Sequence, residues 1–165
     1  MSPDRDDQRV EQFWETPTHD QIAEISKSHV VALEATDADQ VWVQVGMHHI
    51  VLHTIGRRSR REHRCALPVW RDEDGYRIVV GSFAGADQEP DWVLNLRDRD
   101  VNPRVKVRSQ AGLYWSEHEV IDAGFEREKL WEALLQDRAW YAEYQAKTDR
   151  IIPLIRLPET EVIKD

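Results

Sequence analysis

Residues 49–70 read His49-Ile50-Val51-Leu52-His53-Thr54-Ile55-Gly56-Arg57-Arg58-Ser59-Arg60-Arg61-Glu62-His63-Arg64-Cys65-Ala66-Leu67-Pro68-Val69-Trp70. The apolar, β-branched start is strand-like, Gly56 stops it, and a charged loop leads into a second apolar run that contains Pro68. Proline has no N–H for a sheet ladder, so this second run predicts an edge strand, or one open to a ligand at that point. Between the runs, residues 57–64 hold five arginines against one glutamate, a net +4, leaving −13 on the other 157 residues of a chain whose charge is −9. Glycine permits a sharp turn, turn amides can face an anion, and guanidinium forks match phosphate or carboxylate oxygens. From composition alone an anion cradle, a solvated charged loop and a nucleic-acid patch all stay open.

Upstream, Thr18-His19-Asp20-Gln21 has the form of a capping box, and Ile22, Ile25, His29 and Leu33 follow at helical spacing, so a helix is expected over about residues 19–35. The charged first dozen residues read as frayed. Val41, Val43 and Val45 alternate with Trp42 and Gln44, which predicts a strand joined to 49–55 by a tight turn at Gly46. Downstream, Asp72-Glu73-Asp74-Gly75 predicts a hairpin turn between residues 64–71 and 76–82. Pro90 suits the first turn of a short helix carrying Trp92 to Leu96, strands are expected over 104–109 and 113–121, helices over 125–136 and 140–147, and a last strand over 151–157. Six or seven short strands with peripheral helices favour a mainly β, α+β domain, a small antiparallel barrel, over a doubly wound parallel sheet. The expected division is a helical extension at 1–40 that packs on or lids the barrel, the barrel itself at 41–158, and a tail at 159–165.

A chain of 165 residues is one domain's worth, and 41% hydrophobic content with seven tryptophans is enough to bury a core, which excludes wholesale disorder. The acidic balance argues against a protein that coats nucleic acid with its whole surface. Cys65 stands alone, so neither an internal disulfide nor a cysteine zinc ribbon is available, and a reducing cytoplasm fits. No apolar run has the length of a membrane span, and the N-terminus has no secretion signal.

Thr54-Ile55-Gly56-Arg57-Arg58-Ser59, followed by Arg64 and the proline-containing strand, resembles the deazaflavin-dependent nitroreductase and quinone reductase family. The likeness continues through Gly81-Ser82-Phe83-Ala84-Gly85-Ala86, Pro90-Asp91-Trp92-Val93-Leu94-Asn95-Leu96, Asn102-Pro103, Tyr141-Ala142-Glu143-Tyr144-Gln145 and Thr148-Asp149-Arg150-Ile151-Ile152-Pro153, in the family's order, over about residues 50–157. It implies a split β-barrel of the FMN-binding type that holds coenzyme F420, a deazaflavin with a phospholactyl-oligoglutamate tail. A polyanionic tail needs a concentrated basic groove in a protein of charge −9, and residues 57–64 would supply it.

By that resemblance Arg57, Arg58 and Ser59 would meet the phosphate, and Arg64 the phosphate or glutamates. Ala66, Leu67 and Pro68 would run beside the deazaflavin, Ser82, Phe83, Ala84, Gly85 and Ala86 would approach it closely, and Trp92 with Asn95 would pack and orient it. Tyr141 and Tyr144, three apart on a helix, would face the electron acceptor with Ser82 as a further donor. Without the resemblance, Trp92 and the tyrosines are as well read as core aromatics, Asn95 as a cap, and Ser82 as a turn residue. The implied activity is hydride transfer from F420H2 to a quinone, an activated enone or a nitro compound. Two departures stand out: Arg60 replaces the usual small residue after Gly-Arg-Lys/Arg-Ser, and Phe83 stands where some relatives carry a cation.

Alternatives carry less. FMN, or a non-catalytic ligand, is the rival occupant of the same barrel. His48, His49, His53, His63 and Cys65 lie close in sequence but lack the paired spacing of a zinc site, so no metal is expected. No nucleophile elbow, P-loop or His-Glu-x-x-His motif is present. The aromatics do not interleave with the basic run, which ranks nucleic acid last. Edge strands and seven tryptophans are compatible with a homodimer.

Overall fold

The computed structural model describes residues 8–164. Helix α1 spans His19–Ala35 and begins with the expected capping box: Thr18 Oγ1 accepts from Gln21 N at 3.3 Å, and Thr18 N donates to Gln21 Oε1 at 2.9 Å. Its buried residues, Val30 and Leu33, pack with Trp42 and Val51.

The strand expected over residues 41–45 is instead a short helix, α2 (Asp39–Trp42), followed by a two-residue strand, β1 (Val43–Gln44). The alternation misleads because Trp42 is the buried member, held by Nε1 donating to Thr36 O at 2.7 Å. Val45 sits exposed in the turn at φ 49°. Strand β2 (Met47–Ile55) then pairs with β1, with β3 (Glu62–Pro68) and with β6 (Val105–Ser109). β7 (Gly112–Ser116) and β10 (Glu161–Ile163) complete this six-stranded sheet. β10 lies in the stretch read as a tail.

The second sheet has the order β4 (Trp70–Arg71), β5 (Arg77–Val80), β9 (Leu154–Arg156), β8 (Glu119–Ile121). All pairings are antiparallel. The long strands read over 64–71 and 113–121 each split, because the chain changes sheet at Val69 and again at residues 117–118, which is how a barrel turns a corner. Pro68 ends β3, whose only ladder partner among the described residues is β2, so the edge position expected of it is observed.

Ile50, Leu52, Val79, Val107, Tyr114 and Ile155 fill the barrel interior. A second apolar cluster joins Met47, Trp70 and Ile78 to α4 (Gly124–Asp137) and α5 (Tyr141–Ala146). Residues 8–16 are not frayed: Gln8 is buried, Val10 N donates to Asp137 O at 2.9 Å, and Trp14 packs edge-on against Trp140 at 5.2 Å. Burying Val10 and Trp14 outweighs the charges that made this stretch look unstructured. Residues 1–7 lie outside the described part. Among the described residues no helix is long and apolar enough to cross a membrane.

Candidate functional site

The loop after β2 is closed by Gly56 N donating to Arg61 O at 2.8 Å and Arg60 N to Gly56 O at 2.9 Å. A side chain at Gly56 would displace its neighbours, since a Cβ there would stand 2.3 Å from Ser59 Oγ and 2.8 Å from His63 Nε2. Ser59 Oγ contacts His63 Nε2 at 3.1 Å and accepts from Arg61 N at 3.2 Å. Arg60 adopts φ 62°, so the loop keeps the left-handed turn for which a small residue is usual and carries an arginine through it.

Two buried asparagines pin this loop to the barrel. Asn102 accepts from Ile55 N at 2.8 Å and donates to Ile55 O at 2.7 Å and Asn95 O at 3.0 Å. Asn95, on α3 (Asp91–Arg97), accepts from Arg57 N at 3.1 Å and Arg57 Nη1 at 3.0 Å and donates to Thr54 Oγ1 at 3.2 Å. Asn95 is therefore neither a cap nor a solvent contact. Arg57 is half spent on this scaffold and also reaches Asp91 at 3.5 Å. Arg58, Arg60 and Arg61 are exposed, and their guanidiniums have no carboxylate partner among the described residues. They are the loop's available cations.

Arg64 is committed differently. It pairs with Glu62 at 2.8 Å and with Glu34 of α1, which together hold its pKa above the usual arginine value. Ala66 N, on the edge strand, donates to Ser26 Oγ of α1 at 3.0 Å, so the helix covers the edge where the strand has no ladder partner. Leu67 and Trp92 pack against the barrel core, and Pro68 opposes His49.

The turn at residues 82–86 is strained: Phe83, Ala84 and Gly85 take φ 43°, 52° and 82° in succession. Such backbone persists where its surroundings hold it. Here the clamp is Arg150, which donates from Nε to Ala86 O at 2.7 Å, from Nη1 to Gly81 O at 3.1 Å and from Nη2 to Ser82 O at 2.8 Å. Arg150 is itself fixed by Gln145, whose Nε2 donates to Arg150 O at 2.6 Å and whose Oε1 accepts from Ile152 N at 3.0 Å. Gly85 abuts α5 so closely that a Cβ would stand 2.6 Å from Tyr144 O. Ser82 is buried, and its hydroxyl has no partner among the described residues.

Tyr141 and Tyr144 stack edge to face at 5.8 Å and are 5% and 7% exposed. Burial pushes the Tyr141 hydroxyl up to about 12. The N-terminal strap closes over them: Thr16 Oγ1 lies 3.4 Å from Tyr144 Oη, Trp14 joins their cluster, and the His19 ring stands 4.6 Å from Phe83. Phe83, in place of a cation, thus packs against the first residue of α1.

Two groups of expected residues come together: Arg57, Arg58 and Ser59 with Asn95, and Ser82 to Ala86 with Tyr144. Sequence reasoning gave no role to Asn102, Gln145 or Arg150, although the motif blocks that contain them were the available signal. The histidines disperse, with His49 Nδ1 on Met47 O at 2.9 Å, His53 beside Glu62 at 3.6 Å and His63 on Ser59. No group of three or more potential ligands is arranged for a metal ion among the described residues.

Three arginines without a carboxylate partner among the described residues, on a tightly closed loop, suit an anionic ligand. A protein-family model described as F420H(2)-dependent quinone reductase matches residues 25–159. A solved structure described as a domain-swapped dimer is 27% identical, over 84% of this chain and 98% of that one, with a TM-score of 0.56. Another, described as an F420-H2 dependent reductase (FDR-A), is 29% identical over 67% of this chain and 93% of that one, with a TM-score of 0.51.

Proposed function

The chain belongs to the F420H(2)-dependent quinone reductase family and is an oxidoreductase that uses F420H2, and on that premise we propose which residues do the work and on what acceptor. Arg58, Arg60 and Arg61 hold the anionic tail, Arg57 and Ser59 complete the phosphate cradle, and Asn95 with Asn102 keeps that loop in place. The turn at 82–86, fixed by Arg150, lets backbone approach the ring. Bound there, the reduced deazaflavin supplies a hydride, two electrons together, so no side chain has to bond covalently to the substrate.

The acceptor is a quinone, with activated enones and nitro compounds as further substrates of the same electron-poor kind. Tyr141 and Tyr144 hold its oxygen and stabilise the charge that develops there, with Ser82 as a third donor. Burial keeps Tyr141 protonated up to about pH 12, so it stays a donor across the neutral range. The strap over the pair excludes water.

The observation that carries this reading is the trio of unpaired arginines on a loop pinned by Asn95 and Asn102. Steady-state oxidation of F420H2 by menadione tests the chemistry. Tyr141→Phe and Tyr144→Phe are expected to lower kcat while leaving F420 affinity near that of the parent. Unchanged kcat in both would remove the tyrosines from the mechanism. We also infer a homodimer, which the likeness to a domain-swapped dimer supports; a monomeric mass in sedimentation across a hundredfold concentration range would refute it.

A further inference from the structure

Among the arginines of residues 57–64, Arg64 stands apart because two carboxylates hold it. Its Nε donates to Glu62 Oε1 at 2.8 Å, in its own strand, and its Nη1 donates to Glu34 Oε2, in the last turn of α1. Across the ladder Arg64 faces His53, whose Nδ1 stands 3.6 Å from Glu62. Burial lowers His53 below its ordinary value of 6.5, so it adds no charge at neutral pH. Lys106, opposite His53 on β6, leans toward the Trp115 ring at 5.2 Å. Two carboxylates therefore meet one guanidinium, a local charge of −1, about 10 Å along the chain from Arg61.

The seat of α1 does not depend on this pair. Val30 and Leu33 pack with Trp42 and Val51, Ser26 Oγ accepts from Ala66 N at 3.0 Å, and the His29 ring lies 4.5 Å from that of His49. An ion pair whose side chains are 44% and 31% exposed adds little to such packing. A carboxylate in the last turn also faces the negative end of the helix dipole, where a cation is favoured. What Glu34 does change is Arg64. It occupies the guanidinium with the same functional group that an oligoglutamate tail carries, and as part of the chain it is present at an effective concentration of about millimolar or more.

We propose that Glu34 is a specificity residue: it takes Arg64 out of the tail site, which leaves the tail to the Gly56 loop, so that glutamates beyond the reach of that loop add no affinity. This rests on the assignment of the F420 tail to Arg58, Arg60 and Arg61.

Fluorescence titrations with F420 carrying two glutamates and with F420 carrying six test it. In the parent the two forms are expected to bind within about twofold of each other. Glu34→Ala is expected to bind the six-glutamate form about three- to tenfold tighter than the parent does, and the two-glutamate form no more than about twofold tighter. Adding Arg64→Gln to Glu34→Ala should return both affinities to the parental values, because the gain is assigned to that one guanidinium. Glu24→Gln, which removes the same charge from an exposed position of α1, should change neither. Hydrogen exchange at the Ala66 amide should stay as slow in Glu34→Ala as in the parent, since Ser26 and Leu33 still seat the helix. An unchanged affinity of Glu34→Ala for the six-glutamate form, a gain that Glu24→Gln shares, or a gain that comes with faster exchange at Ala66 would overturn the proposal and leave the cofactor assignment standing. Binding of neither form by parent or variant would overturn that assignment and this inference with it.

Discussion

Tyr141 and Tyr144 are core residues to which the proposed function gives a chemical role as well. They sit within an apolar cluster with Trp14, Trp131 and Trp140, so truncation to alanine would test packing and function together. Removal of the hydroxyl alone isolates the chemistry, and the proposed role predicts a loss of about 10- to 100-fold in kcat for each phenylalanine variant. The residue scale is also where the sequence was least legible. Arg58 and Ser59 could be named as candidates from their motif, but a motif does not say that Asn95 is spent on Arg57 and Thr54, or that Arg64 is engaged by Glu34. Those partners lie 30 to 41 residues away in the chain, and only the folded sheet brings them together.

Elements with strong local signals were readable. The capping box at Thr18 sets the start of α1, and the Asp72 to Gly75 turn sets the β4–β5 hairpin, where Asp72 Oδ1 accepts from Asp74 N and Tyr76 N at 3.0 Å each. Residues 41–45 failed because period-two alternation over five residues cannot distinguish a strand from a turn of helix with one buried tryptophan. The split of 113–121 between two sheets was invisible because a corner-turning strand has the composition of a continuous one. The Gly56 loop adds a cost of its own: Arg60 at φ 62° sits in backbone that disfavours a side chain by about 1 kcal/mol. Arg60→Gly should therefore raise the unfolding free energy by about 1 kcal/mol while weakening tail binding. A variant less stable than the parent would show that the side chain stabilises the loop in a way the backbone does not reveal.

For the whole molecule, the buried histidines set the response to acid. Burial, helped by His29, pulls His49 down from 6.5 to about 3, and burial also lowers His53 and His118. Between those values the unfolded chain binds protons that the folded one refuses, so stability is full above pH 6.5 and falls as the pH drops toward 3. His49 contributes at most about 1.4 kcal/mol per pH unit in that window. Urea midpoints should decline from pH 7 to 4.5, and His49→Gln should flatten the decline; a midpoint constant over that range would contradict the assignment.

At the same scale, the proposed function turns on Arg58, Arg60 and Arg61, exposed and without a carboxylate partner among the described residues, meeting an anionic tail. The most direct measurement is a fluorescence titration of coenzyme F420 into the parent chain and into the triple variant Arg58→Gln, Arg60→Gln, Arg61→Gln, with FMN titrated in parallel. Tight, salt-sensitive F420 binding, weakened about tenfold or more in the variant and not matched by FMN, is the predicted result. Equal F420 affinity in parent and variant, or tighter binding of FMN than of F420, would contradict it.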